Sequence, residues 1–304
     1  MKLVPKVQMS PNGPSFSRLV QGYWRMNEWG MSSQELLTFI KQHIELGITT
    51  VDHAHVYGIP PCEKRFGEAL KLNPGIRDSI EIVSKCGIQP VRDNSSTRKV
   101  NHYNTSRKHI IESAELSLQR LGIDFLDVLL IHRPDFLMSV DEVADAFRAL
   151  YDSGKVKHFG VSNFTPSQFS LLQTRLDFEL VTNQVEINPL NMSSLEDGTL
   201  DQLQALRVKP MAWSCLAGSR ILLENTEQVI RIRSVLSIIA DEIQAASIEQ
   251  VLYAWVLRLP TNPVALLGSG KIERTTSGVE SLNLQLTHEQ WYRIWVAAKG
   301  HNVP

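Results

Sequence analysis

The sequence predicts a (β/α)8 TIM barrel, and three observations carry that reading. Short β-rich runs alternate with longer amphipathic segments to the end of the chain; eight such runs can be counted; and no GxGxxG follows the first. Alternation of this kind gives parallel strands joined by right-handed helical crossovers. Eight of them close a barrel. The missing glycine fingerprint disfavours the alternative, an open doubly wound sheet.

Residues 1–17, with Pro, Asn and Gly around short apolar pieces, predict an N-terminal hairpin across the barrel floor. The eight runs are Arg18–Gly22, Ile48–Asp52, Ile80–Lys85, Phe125–His132, His158–Ser162, Leu180–Val185, Lys209–Trp213 and Val264–Leu267. The fourth is almost continuously apolar, as a strand buried on both faces should be. Helix starts are marked by five [ST]xx[EQ] signals: Ser32 with Glu35, Ser139 with Glu142, Thr165 with Gln168, Ser247 with Gln250 and Thr287 with Gln290. Ser214–Leu259 is too long for one loop and one helix. It predicts an extra helix near Val229–Ala245 after the seventh strand, and a further helix closes the C-terminus.

Nothing divides the chain, so residues 1–304 are expected to form one domain. A hydrophobic fraction of 43% and a charged fraction of 21% are ordinary for a globular protein. Lys plus Arg total 31 against 32 for Asp plus Glu, so bulk charge points to neither nucleic acid nor membrane. The N-terminal residues lack the apolar stretch of a signal peptide, and no run is long enough to span a bilayer. Cys62, Cys86 and Cys215 form no CxxC pair and predict neither zinc nor disulfides. A soluble, cytoplasmic protein is expected.

In such barrels the site lies at the C-terminal ends of the strands. Here those ends carry Asp52, Lys85, His132, Ser162-Asn163, Gln184 and Trp213-Ser214, with Gly268-Ser269-Gly270 after the last. Taken singly, each has a plain structural reading: an N-cap, a solvent-reaching lysine, a bonded histidine, a core tryptophan. Together with Tyr57, just past Asp52, they suggest general acid catalysis. A phenol titrates near ~10, and an adjacent ammonium favours the phenolate. A carboxylate would hold that ammonium in place.

The stretch Asp52-His53-Ala54-His55-Val56-Tyr57-Gly58, with Ser84-Lys85, Ile131-His132-Arg133-Pro134, Gly160-Val161-Ser162-Asn163, Asn183-Gln184-Val185-Glu186 and Gly268-Ser269-Gly270-Lys271, resembles the aldo-keto reductase superfamily over essentially the whole chain. The resemblance is to a bacterial branch of NADP-dependent oxidoreductases. It implies NADP(H), a small-molecule carbonyl substrate and reduction to an alcohol. Tyr57 then matches the proton donor, Lys85 and Asp52 the pair that tunes it, and His132 the group orienting the carbonyl oxygen. Ser162, Asn163 and Gln184 match the holders of the nicotinamide carboxamide, and Trp213 the aromatic stacked on its ring. Ser214, Cys215, Leu216 and Gly218 match the pyrophosphate loop. Gly268, Ser269, Lys271 and Arg274 match the adenosine 2′-phosphate patch. A basic helix start after a glycine-rich turn also suits a phosphate on physical grounds. Cys215 is expected to be a small loop residue without nucleophilic function.

Two departures stand out: Asp-His-Ala at 52–54 replaces Asp-Thr-Ala, and Ser277-Gly278 replaces the pair that holds the adenine. The polar segment 87–104, after Lys85, is expected to overhang the site and to be flexible. Two other classes remain open: a nucleotide-binding regulatory subunit with vestigial chemistry, and a barrel whose His53, His55 and His132 converge on a metal. The oligomeric state is open, a monomer included.

Overall fold

A computed structural model describes residues 3–91 and 98–304. The chain opens with a hairpin, β1 (Lys6–Gln8) against β2 (Ser15–Ser17), followed by β3 (Leu19–Gly22), α1 (Ser33–Glu45), β4 (Thr50–Asp52), α2 (Cys62–Lys71) and β5 (Glu81–Cys86). A short antiparallel pair, β6 (Ile88–Gln89) with β7 (His102–Tyr103), precedes α3 (Arg107–Leu121), β8 (Leu126–Ile131), α4 (Val140–Asp152), β9 (Val156–Ser162) and α5 (Pro166–Gln173). Then come β10 (Leu180–Glu186), α6 (Ser193–Glu196), α7 (Thr199–Ala205), β11 (Met211–Trp213) and α8 (Arg220–Leu223). The chain ends with α9 (Glu227–Ile243), α10 (Ile248–Leu257), β12 (Val264–Leu267), α11 (Ile272–Glu280) and α12 (His288–Lys299). Eight strands close in the order β10-β11-β12-β3-β4-β5-β8-β9, every neighbouring pair parallel. This is the (β/α)8 barrel that the alternation predicts.

Alternation along each strand sorts the side chains. Val20, Val83, Val128, Leu130, Val181, Met211 and Val264 fill the interior, and Met9 and Phe16 of the hairpin region complete the cluster. The Met9 carbonyl also accepts from the Lys209 amide, so the hairpin closes the floor. The opposite faces, Ile82, Leu129 and Ile131 among them, pack under the helices. The extra helix after the seventh barrel strand is α9, which packs against α12. Among the described residues no helix is long and apolar enough to cross a membrane.

Two of the five helix-start signals are used differently. Ser32/Glu35, Thr165/Gln168 and Thr287/Gln290 form full capping boxes. Ser139 and Ser247 cap their helices, but the Glu142 carboxylate accepts from the Arg107 amide and the Gln250 amide oxygen from Ala246. For Glu142 the competing donor comes from a neighbouring segment, and for Gln250 it is the residue just before the cap. Segment 87–104, expected as one open loop, begins and ends in the β6–β7 ladder. The tip on which its expected mobility rests includes 92–97, outside the described residues.

Helix α2 lies close to α3 at Gly67, where a Cβ would sit 2.3 Å from the Arg120 carbonyl oxygen and 2.7 Å from that of Leu121. Alanine at an ordinary helical position gains up to about 1 kcal/mol over glycine. Backbone oxygens cannot step aside, so overpacking costs about 1–3 kcal/mol and wins. Gly67→Ala should therefore lower the unfolding midpoint in a thermal or urea titration; an unchanged or raised midpoint would mean that α2 and α3 sit further apart.

Candidate active site

The alternation that fills the barrel also builds its mouth. Val83 and Lys85 share the inward face of β5, whereas Ser84 points out and donates to Glu63 of α2. Val128, Leu130 and His132 follow the same rule on β8, and Met211 and Trp213 on β11. On β10 the register shifts between Leu180 and Asn183. A local irregularity of this kind re-aims side chains, and both Val181 at the floor and Gln184 at the mouth reach the interior.

Lys85 is fully buried, and its ammonium donates to three acceptors: Asp52 Oδ2 at 2.7 Å, the His53 carbonyl at 2.8 Å and the Tyr57 hydroxyl oxygen at 3.0 Å. Each ammonium proton thus has a partner. Gln184 Nε2 donates to the other carboxylate oxygen, Asp52 Oδ1, at 2.8 Å from across the barrel. Burial acts to lower the Lys85 pKa, but the Asp52 and Tyr57 charges and hydrogen bonds outweigh it, and the ammonium is held above its ordinary value. For Tyr57, burial raises the pKa; the Lys85 charge opposes this and Asp52 adds to it. The ammonium favours the phenolate as expected, but burial outweighs it and the net direction is upward. The phenol is a held proton, available only to a strongly basic acceptor.

His132 packs edge-on against Tyr57, ring centres 5.7 Å apart. Burial, with Lys85, His55 and Arg133 adding, holds its pKa well below the usual histidine value. It is therefore a neutral imidazole, able to donate one N–H without giving up a proton. Its Nδ1 has no hydrogen-bond partner among the described residues.

The remaining rim residues are tied to one another. Ser162 Oγ donates to the Gln184 carbonyl, Asn163 Nδ2 to Ser162 Oγ and to the His132 carbonyl, and Trp213 Nε1 to Asn163 Oδ1. Beyond β11, Ser214, Ala217, Gly218 and Ser219 all take positive φ, from 51° to 73°. Three of these are not glycine, and such strain costs about 1–3 kcal/mol each and gathers at functional loops. Cys215 is buried; its thiol donates to the Ala212 carbonyl, and burial pushes its pKa up to about 12. It stays protonated and unreactive. At the last strand Gly268 is open, the Ser269 oxygen accepts from the Lys271 amide, and Lys271 and Arg274 are exposed at the start of α11.

The histidines do not converge. His53 faces away from the mouth, stacked on Tyr23 at 4.8 Å, and burial pushes its pKa down to about 3. The two His55 ring nitrogens contact the Lys85 and Ile88 carbonyls. Trp29 packs over Gly270 and against Tyr23 and Phe39. One residue was missed. Buried Asn188 donates to the Ser214 carbonyl and so fixes the strained loop. Arg133 lies with its guanidinium 5.6 Å from the Trp213 ring centre. Asn188 follows the Asn183–Glu186 motif, so adjacency was the available signal; Arg133, within Ile131–Pro134, is a loop side chain of the kind that sets specificity in such barrels.

The sequence profile described as the Aldo/keto reductase family matches residues 18–298. Oxidoreductase YdhF of Escherichia coli is 57% identical over 99% of this chain and 100% of its own length. A 6-dehydroglucose reductase of Agrobacterium fabrum is 40% identical over 94% of this chain and 96% of its own. Among solved structures, the thermostable aldo-keto reductase Tm1743 in complex with the inhibitor epalrestat superposes with a TM-score of 0.80 at 25% identity, covering 96% of this chain and 99% of that one. The chain belongs to the aldo-keto reductase family and is an oxidoreductase.

Proposed function

We propose that this protein reduces an aldehyde or ketone to an alcohol with NADPH, and that Tyr57 gives the proton. The observation that carries the reading is the buried Lys85 ammonium bonded at once to Asp52 and the Tyr57 hydroxyl. NADPH, when bound, supplies the hydride. As the carbonyl carbon accepts it, the oxygen becomes a strongly basic alkoxide, which takes the Tyr57 proton. Lys85 stabilises the tyrosinate left behind, and neutral His132 donates an N–H to the carbonyl oxygen to set its direction. The relative named 6-dehydroglucose reductase makes an oxidised sugar one candidate in a substrate screen.

The residues present fit the cofactor. Trp213 offers an aromatic face, with Ser162, Asn163 and Gln184 as nearby amide and hydroxyl groups for a carboxamide. The run of positive φ around Ser214–Ser219, with Cys215, Leu216 and Gly218, turns backbone amides in the manner of an anion-binding nest, suited to a pyrophosphate. Gly268 leaves room beside Ser269, and Lys271 and Arg274 supply charge for a 2′-phosphate. The intact set of Asp52, Tyr57, Lys85 and His132 weighs against vestigial chemistry in a regulatory subunit.

Two measurements test these assignments. Lys271→Met should weaken NADPH binding about ten- to a hundredfold, the loss of one charge-assisted contact of roughly 1.5–3 kcal/mol, while NADH affinity stays nearly constant. Fluorescence titration gives both constants, and equal weakening would place the phosphate elsewhere. Tyr57→Phe should fold normally and keep its NADPH affinity, yet lose roughly 10²–10⁴ in the rate of carbonyl reduction. Retention of more than about a tenth of the rate would rule out this proton donor.

A further inference from the structure

The mouth of the barrel contains a cation with no hydrogen-bond or ion-pair partner among the described residues. Arg133 follows His132 directly, half-buried, with its guanidinium 5.6 Å from the Trp213 ring centre. Its charge is felt by both Tyr57 and His132, which places it beside the reacting groups. Among the described residues, its side chain makes no hydrogen bond and no ion pair. Arginines of comparable burial are treated differently elsewhere. Arg77 pairs with Asp127 and Arg120 with Glu63. Arg18, which lacks a carboxylate, donates to Asn262 and to the Leu257 carbonyl.

The nearby carboxylates are committed to other partners. Asp135, two residues on, accepts from Thr105 and from the Leu137 amide. Glu186 accepts from Asn188 and Asn191, and Asp52 from Lys85 and Gln184. A guanidinium half removed from water with no acceptor forgoes hydrogen bonds that a planar oxyanion could restore two at a time. The same loop continues into Phe136 and Leu137, 93% and 91% exposed, which form an apolar lip beside the charge.

We propose that Arg133 is a specificity-determining residue that selects carbonyl substrates carrying an anionic group, a carboxylate or a phosphate, held at the lip while the carbonyl reaches Tyr57. This rests on the reductase reading of the site. Two matched pairs separate the sources of charge: 4-carboxybenzaldehyde against benzaldehyde, and glyceraldehyde 3-phosphate against glyceraldehyde. In at least one pair the wild-type protein should show the higher kcat/KM for the charged member. Arg133→Met should lower that charged-to-neutral ratio about ten- to a hundredfold, as the loss of a charge-assisted bond implies. Arg133→Lys should restore part of it, because a point charge replaces the fork.

A wild-type preference for the neutral member of both pairs, or a ratio that Arg133→Met leaves unchanged, overturns the proposal. So does a loss of NADPH affinity as large as the loss in the ratio, which would assign Arg133 to the cofactor. Calorimetry with benzoate and the NADP-loaded protein gives a readout independent of turnover. Saturable binding by wild type and not by Arg133→Met, without reduction of any carbonyl, would retain the anion site and reject the reductase reading. No binding and no turnover would reject both.

Discussion

The ammonium of Lys85 is the group on which the rest of the site depends. It is buried in the barrel interior, where an unpaired charge is costly, and it is tolerable only because three acceptors meet its three protons. Those acceptors come from the end of β4 and the loop after it, and Gln184 reaches Asp52 from β10, directly opposite β4 in the ring. Barrel closure is thus a precondition of the Gln184 bond that holds the second Asp52 oxygen. Removing one partner from such a pair costs about 3–5 kcal/mol because the other charge is stranded.

That arrangement also sets the direction of the chemistry. Burial favours the protonated Tyr57 phenol, and the adjacent ammonium acts in the opposite sense, toward the phenolate. His132, held neutral by the same burial, can orient an oxygen without competing as an acid. Around this fixed floor lies a different kind of surface. The Ser214–Ser219 loop stores backbone strain that Asn188 helps to hold, while Arg133, without an ion-pair partner among the described residues, lies beside the exposed apolar Phe136 and Leu137.

Much of this was legible in the sequence because strands repeat every two residues. Once Val83 or Val128 is placed inward, Lys85 and His132 follow, and strand ends mark the mouth in a parallel barrel. The hairpin at the floor and the extra helix after β11 also followed from local pattern and length. What did not follow depends on depth and on distant partners. The net upward shift of Tyr57 comes from burial, which its loop sequence Tyr57-Gly58-Ile59-Pro60-Pro61 does not encode. Glu142 has cap-like spacing but is claimed by Arg107, 35 residues away. The isolation of Arg133 becomes visible only once Asp135 and Glu186 are seen to be bonded elsewhere.

If Lys85 acts on the reaction through Tyr57, their effects on turnover cannot be independent. The decisive measurement is a double-mutant cycle in kcat/KM for carbonyl reduction, comparing Tyr57→Phe, Lys85→Met and both together. NADPH affinity, recorded for each variant, shows that the site remains assembled. With the two groups working as one unit, the double variant should be scarcely slower than the slower single one. A double variant slowed by the product of the two single losses would mean that Lys85 and Tyr57 act separately.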